Sequence, residues 1–473
     1  MTTLLLTGIR LQHEQADTRH DLLVENGVIT HIETAGVVNP QALPGISDSD
    51  EQQLASTTGE PDIITIQTNG LLVLPGFTDL YGRLREPGFS RKGTLASETA
   101  AALAGGFTTV LCAPDTQPAI DTPATVELIR QRAADAPGAR VIPMAALTVG
   151  LDGKQLSELA TLKAVGCLAA GQADRPIDNA NVLYSAMQYA ASVDLPLIMT
   201  AHDSQLAANG CAHAGAMATR LGLPGIPVAA ESVALARLIE LCRETGCRLH
   251  ISRVSSARAV GMIERAKQDG LLVTADVGIG HLYFTDAQLA GFDSRYHSAV
   301  PFRSANDRQA LRDGIRRGII DAICSDHAPH DADASLAPFP DTESGLAVYD
   351  HFLPLWLALK PLLELSDEQH LNVVTRHPNA ILCDELAPGA ILKVGQRADI
   401  ILIDPDAELT DLSVAATDGT TQGAACAGHG VSAGCNTPLI GIRNLNQCTD
   451  EAIPLTGRVH MAIVGGELRR SDY

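Results

Sequence analysis

The residues able to do chemistry in this 473-residue chain cluster at the ends of short apolar runs. One run leads into Asp79-Leu80-Tyr81-Gly82-Arg83-Leu84-Arg85-Glu86-Pro87-Gly88, another into Ser325-Asp326-His327-Ala328-Pro329-His330, and a third into His250-Ile251-Ser252-Arg253. Residues two apart on a strand face the same way, so Tyr81 and Arg83 are expected to point together. Neither suits a metal ion. A tyrosine hydroxyl is a rare ligand, and a guanidinium stays cationic and has no lone pair to give. An internal ion-pair network of Arg83, Arg253 and Asp326 is the alternative use for such charges, because a buried charge is costly to leave unpaired. Nucleophilic catalysis finds no motif: Gly-x-Ser-x-Gly is absent, and Cys112 and Cys324 at run ends read as small core fillers. The ten cysteines show neither Cys-x-x-Cys nor zinc spacing and read as reduced, mostly buried thiols.

The elements that must position these groups follow from periodicity. Residues 2–33 alternate apolar and polar positions, with Asn26-Gly27 at a hairpin turn, so the chain opens in strands. Residues 34–62 lack periodicity and read as an exposed loop. From Leu71 come eight apolar runs: LVLPGFTDL, TTVLCAP, RVIPMAAL, GCLAAG, PLIMTA, RLHISRV, LLVTADV and DAICSD. Amphipathic patterns at 95–105, 124–134, 179–193, 228–246 and 257–268 separate them. Apolar strands covered by helices, eight in number, predict an α/β fold closed as a (β/α)8 TIM barrel. A doubly wound open sheet is the alternative, and no GxGxxG turn supports it. Strand-like alternation returns in GAILKVGQRADIILIDP and RVHMAIVGGELRR, around a Gly/Ala/Thr-rich stretch at 412–450. The expected domains are therefore a barrel over 74–385 and a small β-sandwich built from both ends, 1–73 and 386–473.

Composition narrows the partners. Hydrophobic residues make up 45% and charged residues 19%, with mean hydropathy +0.09, enough apolar surface for a sizeable core. The net charge of −21 and pI near 5.0 argue against nucleic acid. The opening MTTLLLTGIRLQHEQ is too short in apolar residues for a signal peptide or a membrane span, so a cytoplasmic protein is expected.

The segments GLLVLPGFTDL, LREPG, AGGFTTVLCAPDT, SDHAPH, NTPLIG (436–441) and the closing IVGGEL resemble the cyclic amidohydrolases, in particular the dihydroorotase branch, over nearly the whole chain. The resemblance implies a divalent metal bound by His-x-His, where this chain has Tyr81 and Arg83. It implies a bridging acid, here Gln172, or Asp174 if the alignment slips. It implies a histidine at Thr200, with His202 displaced by two positions, and another at Arg253, although the nearby His250 survives. Asp326 matches the family's metal-holding, proton-shuttling aspartate. Arg85 and His330 resemble the residues that receive the substrate carboxylate, whereas Asp115 and Ala299 replace two asparagines, and Asp115 would repel an anion. Zinc, and any other cofactor, is therefore expected to be absent. The resulting expectation is no enzyme but a catalytically inactive dihydroorotase homologue. Such chains resemble structural partners that assemble with aspartate carbamoyltransferase in pyrimidine biosynthesis, in a homo- or hetero-oligomer. Two rivals stand beside it: an amidohydrolase with one metal on Asp326, His202 and His250, or a binding module for dihydroorotate or a related ureide using Arg85 and His330.

Overall fold

A computed structural model describes residues 3–12, 18–36, 63–382, 392–408, 436–437 and 454–470. Nearly all of the 34–62 loop and the 412–450 stretch lie outside the described residues, as do the boundary near 385 and the NTPLIG motif beyond Thr437.

The barrel strands are Phe77–Gly82, Phe107–Cys112, the paired segments Arg140–Pro143 and Ala145–Ala146, then Ala170–Gly171, Leu197–Thr200, Leu249–Ser252, Val273–Gly278 and Ala322–Cys324. All pair in parallel with their neighbours. The third strand links two runs, since Met144 N donates to Cys112 O at 3.0 Å and Ala145 N to Ala169 O at 2.9 Å. Closure comes from a parallel bridge between Gly82 and His327, with Arg83 N donating to His327 O at 2.9 Å. The open-sheet alternative is thereby excluded. Buried Leu80, Leu111, Ile142, Met144, Ile198 and Cys324 share one cluster of strand residues. Outside lie Leu95–Ala104, Pro123–Ala134, Ala180–Ser192, Val228–Thr245 and Ala257–Gln268, the five helices expected, followed by Ala305–Arg316 and Tyr349–Leu363. Thr94, Thr122, Asn179, Ser256 and Ser304 cap helix starts with their side chains, which fixes where each helix leaves its strand.

Both chain ends contribute to one eight-stranded sheet. Its order is Glu467–Arg470, Thr456–Val464, Ile400–Glu408, Leu72–Pro75, Thr3–Leu11, His20–Glu25 and Val28–Thr34, with Ile63–Gln67 also pairing on Thr3–Leu11. Asn26 (φ 52°) and Gly27 (φ 80°) make the expected tight hairpin. The strand Thr3–Leu11 is shared between two arms: Thr3–Thr7 pair with Ile63–Gln67, then Arg10 and Leu11 pair with Leu72 and Val73. Gly8, at φ 71°, lies between. Leu4, Leu6, Val24, Ile400, Leu402 and Ile463, drawn from both arms, share one core. Ile401 and Ile403 alternate with Ile400 and Leu402 and join the barrel's outer core instead, so this strand is apolar throughout because both faces are buried.

The run LVLPGFTDL, expected as one strand, is two. Leu72–Pro75 belongs to the terminal sheet and Phe77–Gly82 to the barrel. Gly76 makes the turn between them: its N–H donates to Asp399 O at 2.9 Å, and a Cβ there would sit 2.1 Å from Thr108 Oγ1. Asp399 also accepts from Arg140 Nη2 at 2.9 Å and Gly465 N at 2.7 Å, tying barrel to sheet. Gly76→Ala should destabilise the protein by roughly 1–3 kcal/mol through overpacking at this junction, read from the urea midpoint. An unchanged midpoint would mean that Thr108 yields freely.

Candidate functional site at the barrel mouth

The end of the first barrel strand turns Arg83 into a space bounded by five other strand ends. Its Nε donates to Asp115 Oδ2 at 2.7 Å, after the second strand, and its Nη2 to Tyr81 Oη at 3.1 Å and to Asp174 after the fourth. Arg253, after the sixth strand, donates from Nη2 to the other oxygen of Asp174 and to Thr200 at the end of the fifth. Its Nη1 reaches Asp326 Oδ1 at 3.0 Å, after the eighth. The Arg253 guanidinium lies 3.9 Å from the centre of the Tyr81 ring, a cation–π contact. Both arginines are buried, so each charge depends on its partners. Ala173, Arg253 and Asp326 have positive φ of 53°, 59° and 53°, a costly conformation for residues with side chains, here at the turns that aim the cluster inward.

A second layer holds the first. Asp276 accepts the backbone N–H of Arg253 and bonds His250 Nε2 at 2.9 Å, while His250 Nδ1 meets Thr274 Oγ1 at 2.9 Å. Asp79 accepts from Ser325 N at 2.9 Å, from Tyr349 Oη at 2.8 Å and from the Ser325 hydroxyl, which fixes the turn that carries Asp326. His327 Nδ1 accepts from Val348 N at 3.1 Å, so its Nε2 carries the proton given to Glu98 at 2.7 Å. Asn436, from the NTPLIG motif, accepts from His330 N at 2.8 Å and donates to Ala328 O at 2.9 Å.

Several sequence expectations are corrected. Gln172 does not face the centre: it is buried and its amide bonds Thr148 Oγ1 at 2.8 Å, while the reversed backbone at Ala173 delivers Asp174 instead. The network of Arg83, Arg253 and Asp326 exists with different pairings, because Arg83 binds Asp115 and Asp174, and Asp326 serves Arg253 alone of the two. Asp115, expected to repel an anion, is paired with Arg83, which it shares with Asp174. His250 is held by Thr274 and Asp276 and does not join Asp326 and His202 in a ligand set. Arg85 and His330 do meet, with Arg85 Nη2 3.1 Å from His330 Nε2, but Arg85 Nε donates to Pro329 O and His330 Nε2 faces Ser344 O at 2.9 Å. Burial and the Arg85 charge bring His330 down to about 4, so it is uncharged at neutral pH; burial and Arg83 bring Arg85 to about 10. Sequence reasoning missed Asp79 and Asp276 as supports. Their signal was a carboxylate inside an apolar strand, which must find donors.

These residues do not fit a divalent metal. Two guanidinium groups hold positions where lone pairs are needed, and Asp174 and Asp326 already serve them. Among the described residues no group of three or more His, Cys, Asp or Glu is placed to hold an ion. Burial pushes the Asp174 carboxyl up, but Arg253 and Arg83 outweigh it and hold it well below the usual carboxylate range. Burial similarly raises the Tyr81 hydroxyl against the pull of both arginines, keeping it a neutral donor and ring.

A barrel of this kind joined to a sheet from both chain ends is the amidohydrolase fold. L-hydantoinase (dihydropyrimidinase) from Arthrobacter aurescens matches with a TM-score of 0.75 over 99% of this chain and 96% of that one, at 21% identity. The chain belongs to the dihydroorotase-like family. The family model for dihydro-orotase-like proteins matches residues 70–259. "Dihydroorotase-like protein" of Pseudomonas putida is 44% identical over 76% of this chain and 84% of its own length. "Dihydroorotase" of Syntrophotalea carbinolica is 37% identical over 77% and 85%. These names overturn the expectation that the chain is no enzyme, since dihydroorotase and hydantoinase both name hydrolases. Loss of metal-ligand residue types bears on the metal and does not by itself decide turnover. Among the described residues no helix is long and apolar enough to cross a membrane.

Asp174→Asn should cost on the order of 2–4 kcal/mol, discounted from about 3–5 for breaking a buried pair because the side chain is 29% exposed. Since its folded pKa is depressed, Asp174 stabilises above the unfolded value of about 3.9 and that stabilisation is lost as pH falls further. Unfolding curves from pH 6 to acid should therefore be flatter in Asp174→Asn than in the parent; equal slopes would show that Asp174 carries no such linkage.

Proposed function

We propose that this chain serves as a dihydroorotase-like partner subunit of aspartate carbamoyltransferase in cytoplasmic pyrimidine biosynthesis, with its barrel mouth held by ion pairs and no zinc. The observation that supports this reading is Asp174, shared by Arg83 and Arg253 where the family resemblance expects a metal. A mouth built this way keeps the fold, and with it the outer surface on which a partner would dock. A stable assembly would bury on the order of 2,000 Å² or more in total.

A second reading, hydrolysis of a cyclic amide such as dihydroorotate, is favoured by relatives named Dihydroorotase at 37–38% identity. In this chain such turnover would have to draw on groups other than a bound metal.

Two measurements separate the readings. Purified chain should contain zinc far below one equivalent, and whatever dihydroorotate hydrolysis it shows should be unchanged by chelator or added zinc; one tightly held zinc per chain with chelator-sensitive turnover would overturn the metal-free reading. Co-expressed with the transferase, it should co-elute in size-exclusion chromatography at micromolar concentration. A transferase that is fully assembled and active without this chain, with no co-elution, sinks the partner role.

A further inference from the structure

At the end of the barrel opposite the mouth, two cysteines meet. The helix Val228–Thr245 ends at Gly246, whose φ of 65° lets its N–H donate to Cys242 O at 2.9 Å, and Cys247 follows, with Arg248 alone between it and the strand Leu249–Ser252. The left-handed cap folds the chain back, so the side chains at 242 and 247 pack on each other. The Cys242 thiol donates to Cys247 O at 3.3 Å, and the two sulfurs lie within hydrogen-bond reach of one another.

As apolar fillers of a helix end, these cysteines would need no chemistry. Two features separate them from Cys112, Cys167 and Cys324. Among the described residues no other two cysteines are hydrogen-bonded together; Cys112 and Cys324 give their thiols to Ala113 O and Asp276. Burial pushes Cys112 and Cys167 up to about 12 and Cys324 higher still, so these three stay protonated and inert. At Cys247 the hydrogen bond from Cys242, helped by Thr245, outweighs burial and holds the thiol below its ordinary value. Its thiolate is the form that attacks.

Access is the remaining condition. Both side chains are buried, but Arg243, Glu244 and Gly246 around them are exposed. The last turn of a helix opens locally at far less cost than a barrel strand, and opening this one uncovers both sulfurs at once.

We propose that Cys242 and Cys247 form a reversible thiol–disulfide modification site, oxidised by a low-molecular-weight disulfide such as glutathione disulfide. The Cys247 thiolate attacks one sulfur of the oxidant, breaks its S–S bond and expels a first thiolate. Cys242, deprotonated in its turn, then attacks Cys247 Sγ, forming the internal S–S bond and expelling the second. Two electrons pass from the cysteines to the oxidant, and the two protein protons end on the released thiols. This site depends neither on the partner role nor on turnover at the mouth.

Trypsin cuts after Arg237, Arg243 and Arg248, so each cysteine falls on its own peptide, 238–243 and 244–248. Reduced full-length protein, incubated with glutathione disulfide at pH 8, alkylated and digested, should yield these two peptides joined, about tenfold or more faster than glutathione adds to Cys112, Cys167 or Cys324. Dithiothreitol should separate them, and circular dichroism should show the chain still folded. Cys242→Ser should accumulate a glutathione adduct at Cys247, whereas Cys247→Ser should leave Cys242 largely unmodified, each variant's melting temperature reporting its folding. Peptides that stay separate in the parent, Cys247 joined instead to another cysteine, a glutathione adduct persisting there unresolved, or linkage only in unfolded protein would each overturn the proposal. So would equal adduct formation in the two serine variants, and the parent digest decides even if either variant fails to fold.

Discussion

One carboxylate shared by two buried guanidinium groups is the constraint on which the mouth of this barrel depends. Asp174 ties the fourth strand end to the first through Arg83 and to the sixth through Arg253. Asp115 draws in the second, Thr200 the fifth and Asp326 the eighth. Two like charges this close repel, by about 4 kcal/mol at 4 Å and an effective dielectric near 20, so the arginines can coexist only with carboxylates among them. The dependence is mutual, because removing Arg83 would leave Asp115 without its ion-pair partner and removing Arg253 would do the same to Asp326. It also explains why positive φ persists at Ala173, Arg253 and Asp326: the turns are over-determined by the ion pairs they present.

The cluster is in turn held from below. Asp276 fixes the backbone of Arg253, and Asp79 fixes Ser325 beside Asp326, each carboxylate sitting wholly inside the barrel wall and satisfied by backbone and hydroxyl donors. The side chains at the mouth therefore have little freedom to separate and admit an ion of their own. The same supports join distant parts of the chain, since Tyr349 of the last long helix donates to Asp79 and stacks on His327, whose ring is fixed by Glu98 of the first.

Much of the architecture was legible because wholly apolar runs alternating with amphipathic ones have few solutions besides a closed parallel barrel. The split at Gly76 was not, since a strand that passes from one sheet to another keeps the same apolar pattern on both sides of the turn. At the mouth, residue types were informative and neighbours were not. Arg83 and Arg253 announced an ion-pair cluster, but the fourth strand is only Ala170–Gly171, too short to set a register, and the positive φ at Ala173 decides between Gln172 and Asp174. Asp115 read as a repelling charge because its neutralising partner lies 32 positions away in sequence. The expectation of no enzyme failed for a different reason: it passed from ligand chemistry to activity, and relatives named for hydrolysis do not permit that step.

Replacing metal-binding side chains with paired arginines changes more than the identity of the centre. A divalent cluster presents positive charge to a substrate, whereas two guanidinium groups balanced by three carboxylates present one negative charge. The whole chain, at −21, adds no long-range attraction for an anion. Among the described residues Arg85 makes no ion pair, and burial with the neighbouring Arg83 lowers it to about 10, so it is the cation at this mouth best placed to gain from a carboxylate. An anionic group would thus be drawn to Arg85 and away from the paired arginines at the centre of the mouth, whose charges are already spent on Asp115, Asp174 and Asp326.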